Sequence, residues 1–132
     1  MDKIELQERT KKGENLHTEF KESLPDNETI AKAIVCFANA DGGQLIIGIS
    51  NSGDIAGFGD LDLDAAISKI DDVAFHRCEP SVSILTETVD IDGAIILVVS
   101  IPKGEQRPYR MESGLYYILN KDAQAKPTGL TN

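Results

Sequence analysis

The chain has 132 residues, 41% of them hydrophobic, which is the size and apolar content of one domain around one continuous core. Its net charge of -9, from 13 Lys and Arg against 22 Asp and Glu, argues against a uniformly basic surface, and no run of about 18 apolar residues is present to span a bilayer. The first twenty residues, MDKIELQERTKKGENLHTEF, are too charged for a secretory signal, and Cys36 and Cys78 lack CxxC spacing; an unexported, cytoplasmic domain with two reduced thiols and no membrane partner is expected. The charge is unevenly spread. Residues 1–100 carry 8 Lys and Arg against 19 Asp and Glu, whereas residues 101–132 carry 5 against 3, so any polyanion contact is expected to use the C-terminal third. The plain alternative is that an acidic balance simply aids solubility.

Met1 to Lys12 has only Ile4 and Leu6 as apolar anchors and reads as a short helical or frayed lead-in without function. Leu16 to Glu22 alternates as a short strand, with Leu16, Thr18 and Phe20 on one face and His17, Glu19 and Lys21 on the other. Pro25-Asp26-Asn27 supplies turn and N-cap chemistry for a helix whose stripe is Ile30, Ala33, Ile34, Phe37 and Ala38. That helix stops at Asp41-Gly42-Gly43, where Gly42 and Gly43 allow positive φ and an entry into a strand without a Cβ clash, and Asn39 has a side chain able to cap nearby backbone. Gln44 to Ser50 is nearly all apolar and suits a central strand covered on both faces.

Asn51-Ser-Gly-Asp54 has the composition of a tight hairpin loop returning through Ile55 to Phe58. Asp62 caps a second helix with the stripe Leu63, Ala66, Ile67, Ile70 and Ala74, ending before Glu79-Pro80. Strands are predicted over 82–89 and 94–101, flanking Asp90-Ile-Asp-Gly93, the second with the apolar run of a buried strand, and a last short strand over 115–119. The sum is an α+β fold with a mixed or antiparallel sheet and two main helices, in a single domain over 1–132 that is either a whole small protein or the N-terminal part of a longer one. The glycines after the first of these helices are not a P-loop, because GxxxxGK[ST] is missing and no helix follows to hold a phosphate; GDIAGFG at 53–59 fails the dinucleotide fingerprint by spacing.

Four segments in this order, ENLHTEFK (14–21), FANADGGQLIIG (37–48), Arg107-Pro108-Tyr109 and GLYYI (114–118), resemble the Schlafen AlbA-like domain. The resemblance implies a nucleic-acid-binding module, of which metal-dependent nucleases are one branch. In that branch a Glu, a second Glu five residues on within EFK, and an Asp after the FANxxGG turn hold a metal. Glu14 and Glu19 match the first two positions as candidate catalytic and metal-binding residues, for Mg²⁺ or Mn²⁺ to activate water and offset phosphorane charge. The third position departs from the pattern: Ile49-Ser50-Asn51 stands there, with Asp54 in the same turn. The plain reading of Glu19 and Lys21 is a solvated strand face with an ordinary surface pair, worth under about 1 kcal/mol. His76-Arg77-Cys78 resembles half of the zinc site of Schlafen cores, but no further cysteine completes it; His17 is assigned no function.

Without the metal, no cofactor is implied, and the expected activity is binding rather than catalysis. Lys21, Lys103, Arg107, Tyr109, Arg110 and Lys121 form the candidate nucleic-acid-binding set, cations for phosphates and an aromatic ring for an unpaired base, the latter worth about 1–3 kcal/mol if exposed. Equally, Arg107-Pro108-Tyr109 reads as a loop anchor with Tyr109 packed down, and only one of Tyr116 and Tyr117 can leave a strand for solvent. After those tyrosines Leu119-Asn120-Lys121-Asp122 departs from the Arg and Gly-Ser pair of many members. Three functions remain: a nucleic-acid module of a transcriptional regulator, a metal-dependent endonuclease or endoribonuclease using Glu14 and Glu19, and a protein-interaction or oligomerisation domain. A homodimer is expected if AIILVVSI (94–101) lies at a sheet edge.

Overall fold

A computed structural model describes residues 1–58, 62–112, 117–119 and 125–127, the last two segments as backbone. In chain order the elements are α1 (Lys3–Lys12), β1 (Thr18–Lys21), α2 (Asn27–Asn39), β2 (Gly43–Ile47), α3 (Leu63–His76), β3 (Cys78–Glu79), β4 (Leu85–Ile91), β5 (Ala94–Ile101), β6 (Arg110–Met111), β7 (Tyr117–Leu119) and β8 (Ala125–Pro127). The main sheet has the order β1-β2-β5-β4, with β1 parallel to β2 and the other pairs antiparallel. β3 pairs with β6, and β7 with β8. The mixed α+β sheet is as expected, and the lead-in takes the helical one of its two expected forms, as a third helix. Asp2 caps it by accepting from Glu5 N–H at 2.8 Å, and Leu6 anchors it to the sheet.

Strand alternation divides the core in two. Leu45, Ile47, Leu97 and Val99 point to the side of α2 and α3, where Ile30, Ile34, Phe37, Ile70 and Val73 meet them. Phe20, Ile46, Ile96 and Val98 point to the other side and close on Leu6, with Ile49, Val89 and Ile91. Burying each of these side chains contributes about 1.5–3 kcal/mol, so β2 and β5, covered on both faces, are the most strongly held strands. β5 is therefore interior, and the expected dimerisation through an exposed AIILVVSI edge loses its premise: β2 and β4 occupy both of its sides.

Several boundaries differ from expectation for local reasons. β1 begins at Thr18 because Asn15 bridges Thr18 and its Oδ1 accepts from His17 N–H at 2.8 Å; Leu16 is left exposed. Val82 lies outside β4 because its N–H donates to Ala74 O at 3.1 Å, tying it to α3. Among the described residues no strand returns beside β2 after the 51–54 turn. β1 and β5 already fill both sides of β2, so the returning chain makes only an Ile49–Ile55 bridge. α2 buries Ala31, Val35 and Cys36 besides its expected stripe, because it packs on α3 and lies close to β6 and β7 as well as on the sheet.

The Gly42-Gly43 turn behaves as its composition predicts. Gly42 has φ +82, and a Cβ at Gly43 would sit 2.5 Å from the Phe37 ring. Asn39, just before it, reaches farther than a local cap: its side chain donates to Tyr109 O at 2.9 Å and accepts from Tyr109 N–H at 2.6 Å. Among the described residues no helix is long and apolar enough to cross a membrane.

Candidate functional site

Glu14 and Glu19 are brought together by the turn between α1 and β1. Gly13 ends α1 at φ +78, and Glu14 Oε2 then accepts from Phe20 N–H at 2.8 Å, on the open edge of β1. Glu19, in register with Leu45, lies on the sheet face that α2 covers, and its carboxylate pairs with Lys21 Nζ at 3.6 Å. Burial pushes the Glu19 carboxyl above its ordinary value; Lys21 pulls it down and the Glu14 charge adds to the rise, with Lys32 of α2 opposing. Glu19 is therefore not on a freely solvated strand face. Its side chain is about one-third exposed, and it feels groups on two elements. Cys36, one turn beyond Lys32, has its thiol pushed up to about 12, mainly by burial and secondarily by Glu19.

The third corner of an acidic site is not formed. Asn51 is exposed, and the carboxylate of Asp54 accepts from Ser52 Oγ at 3.1 Å while Asp54 N–H donates to Ser50 Oγ at 3.0 Å, so the turn closes on itself. Among the described residues no three His, Cys, Asp or Glu side chains converge to hold a metal. Two carboxylates, one of them engaged by a backbone N–H, fall short of the donor set that Mg²⁺ or Mn²⁺ requires. The His76-Cys78 pair does not form a zinc half-site either. His76 is exposed beside Asp72 at 3.5 Å, while Cys78 is buried with its thiol raised to about 12 by burial.

The expected cationic set is largely neutralised in place. Lys103 pairs with Asp41 at 3.7 Å, Arg110 with Glu79, and Lys21 with Glu19. Arg107 is exposed and meets no carboxylate among the described residues. Lys121 and Tyr116 lie outside the described residues, as does the start of the expected last strand. Tyr109 is corrected from a stacking platform to an anchor. It is buried, its ring packs where a Cβ on Gly104 would lie 2.0 Å away, and its hydroxyl accepts from Gln106 N–H at 3.2 Å.

A recess that sequence reading passed over lies between the end of α1 and the start of β1. Arg9, Lys12, Asn15, His17 and Thr18 surround about 280 Å³. Arg9 Nη1 donates to Thr18 Oγ1 at 3.3 Å, and His17 Nδ1 sits 3.4 Å from Gly42 O. The only sequence signal was Arg9 and Lys12 at i, i+3 spacing before Gly13, which carries meaning only once α1 is known to fold against the sheet.

Fold and site together define an α+β domain around a mixed sheet, with an acidic pair at its parallel edge strand and a basic recess beside it. The family pattern described as Schlafen, AlbA_2 matches residues 14–127, and the chain belongs to that family. Among solved structures, it is similar to the N-terminal domain of a protein from Nitrosomonas europaea described as RecG-related and as an ATP-dependent DNA helicase. That likeness has a TM-score of 0.63 at 17% identity and covers 97% of this chain and 85% of that one. It is also similar to the DIP2311 protein of Corynebacterium diphtheriae, with a TM-score of 0.59 at 22% identity, over 86% of this chain but only 22% of that one. The chain thus spans about a fifth of the C. diphtheriae protein. No curated protein matches the sequence.

Proposed function

We propose that the chain is a non-enzymatic nucleic-acid-binding module, serving a DNA- or RNA-handling protein such as a transcriptional regulator in the cytoplasm. The observation that carries this reading is the fold shared, over nearly the whole chain, with an N-terminal domain whose parent is described as a DNA helicase. Membership of the Schlafen AlbA_2 family supports it, as does the unfinished acidic site, which leaves binding as the simpler use of the fold. The exposed pairs Lys103–Asp41 and Arg110–Glu79 are worth under about 1 kcal/mol each, so a phosphate can displace either carboxylate at little cost. Together with Arg107 and Lys121 they remain the C-terminal part of the contact set, with Lys21 as its N-terminal member.

One observation favours a second reading, a metal-dependent nuclease: Glu14 and Glu19 lie close enough for one charge to raise the other's pKa. Fluorescence anisotropy with labelled single- and double-stranded DNA and RNA over a salt series, with and without Mn²⁺, separates the two. Salt-sensitive binding without cleavage is expected. Cleavage in Mn²⁺ that Glu19→Gln abolishes would establish the nuclease instead. No binding at low salt would leave a protein-interaction or homodimerisation domain.

A further inference from the structure

The described cations are not equivalent. Lys3, Lys21, Arg77, Lys103 and Arg110 each meet a carboxylate. Arg9, Lys11 and Lys12, in the last turn of α1, meet none among the described residues, although the chain carries an excess of nine acids over bases. Exposed cations on so acidic a protein readily find partners, and a turn that keeps three of them unpaired holds a local positive field against the overall charge.

We infer that the recess formed by Arg9, Lys12, Asn15, His17 and Thr18 is a phosphodiester contact site, so that nucleic acid approaches across the α1–β1 junction as well as the C-terminal third. This deepens the binding reading above and rests on it. The recess is concave, about 280 Å³, and its wall is built of hydrogen-bonding side chains. Thr18 is buried, and its hydroxyl holds one Arg9 nitrogen, so the guanidinium is positioned at the inner wall with further N–H groups to offer a phosphate oxygen. Lys12, one turn on and exposed, adds a mobile charge at the rim. Glu8, Glu14 and Glu19 adjoin lining residues in sequence, but none is part of the wall: Glu14 Oε2 is turned to Phe20 N–H and Glu19 pairs with Lys21.

Two features oppose tight capture of an isolated anion. The end of a helix carries partial negative charge, and Glu14 adds a full one nearby. The recess therefore suits a backbone phosphate delivered by a polymer that is also held elsewhere, more than a free phosphate. A free phosphate and a phosphodiester present the same oxygens, and the experiment must distinguish them.

Anisotropy titrations of the full chain with a labelled oligonucleotide compare the parent, Arg9→Ala/Lys12→Ala, the single charge reversal Lys12→Glu, and Arg107→Ala. The first two variants are expected to weaken binding by about tenfold or more at low salt. The Arg9/Lys12 double change should also reduce the slope of log affinity against log salt by about one to two, the loss of one or two phosphate contacts. Lys12 is exposed and its reversal cannot disturb packing, so the result survives if the double variant folds poorly. Binding by the parent that neither Lys12→Glu nor the double change alters would overturn this site and leave the binding module intact. Absence of binding by the parent would overturn both. Inorganic phosphate, followed by amide shifts at Asn15, His17 and Thr18, closes the remaining case: saturation tighter than that of the oligonucleotide would mean a free-phosphate site and reject the nucleic-acid assignment.

Discussion

Asn39 and Tyr109 are 70 positions apart, yet the amide of one both donates to and accepts from the backbone of the other. Asn39→Ala removes both bonds and leaves the Tyr109 N–H and C=O without those partners. It should cost about 2–3 kcal/mol, read as a lower urea midpoint, and Asn39→Asp, which keeps only the acceptor, should fall between. Glu19 gives a prediction with a sign. Burial raises its folded-state pKa above the ordinary 4.5, so the folded state holds the proton that the unfolded state releases. Its contribution to stability is full below about that value and is lost as pH rises through the raised one. Glu19→Gln should consequently lose less stability than the parent between pH 4 and pH 7, in paired urea titrations; a larger loss in the variant would refute the desolvation of this carboxyl.

At the level of elements, β1 is an outer strand, and an outer strand offers unpaired N–H groups to any other chain. Glu14 covers one of them by accepting from Phe20 N–H, a role that holds whether or not the acid has any chemistry. Glu14→Ala should destabilise the fold by about 1–2 kcal/mol in chemical denaturation, whereas Glu14→Gln, with an oxygen still available, should cost less. A purely metal-binding Glu14 would leave stability unchanged in both. β4 and β5 are joined more simply. Asp92 and Gly93 stand at φ 53 and φ 93 between the paired Ile91 and Ala94, the two positive angles that a tight two-residue hairpin needs, with Asp90 Oδ1 accepting from Gly93 N–H at 2.7 Å.

For the whole molecule, the two buried thiols set an alkaline limit. Cys36 and Cys78 ordinarily titrate near 9 but are raised to about 12 in the fold, chiefly by burial. Between those values the unfolded chain releases protons that the folded chain retains, so stability should fall as pH rises from about 9 toward 12. Thermal unfolding across that range, repeated with Cys36→Ala/Cys78→Ala, should show a weaker pH dependence in the variant. Net charge works at the same scale. With nine surplus acids, binding to a polyanion depends on where the cations stand rather than on how many there are, and paired cations contribute less than unpaired ones.

Local chemistry was legible directly from the residues. The N-caps Asp26 and Asp62, the stripes of α2 and α3, the strand after Gly42-Gly43 and the alternation of β1 all follow from spacing and backbone preference over a few neighbouring positions. Family membership was legible for the same reason, since its motifs are short and contiguous. What lay beyond reach depends on pairs far apart in sequence: which strands flank β5, that Tyr109 is clamped by Asn39, that Glu19 lies under α2, and that Arg9 faces Thr18 across the α1–β1 turn. Each of these is set by which surfaces remain uncovered once the helices and strands have packed, and periodicity along the chain carries no record of that choice.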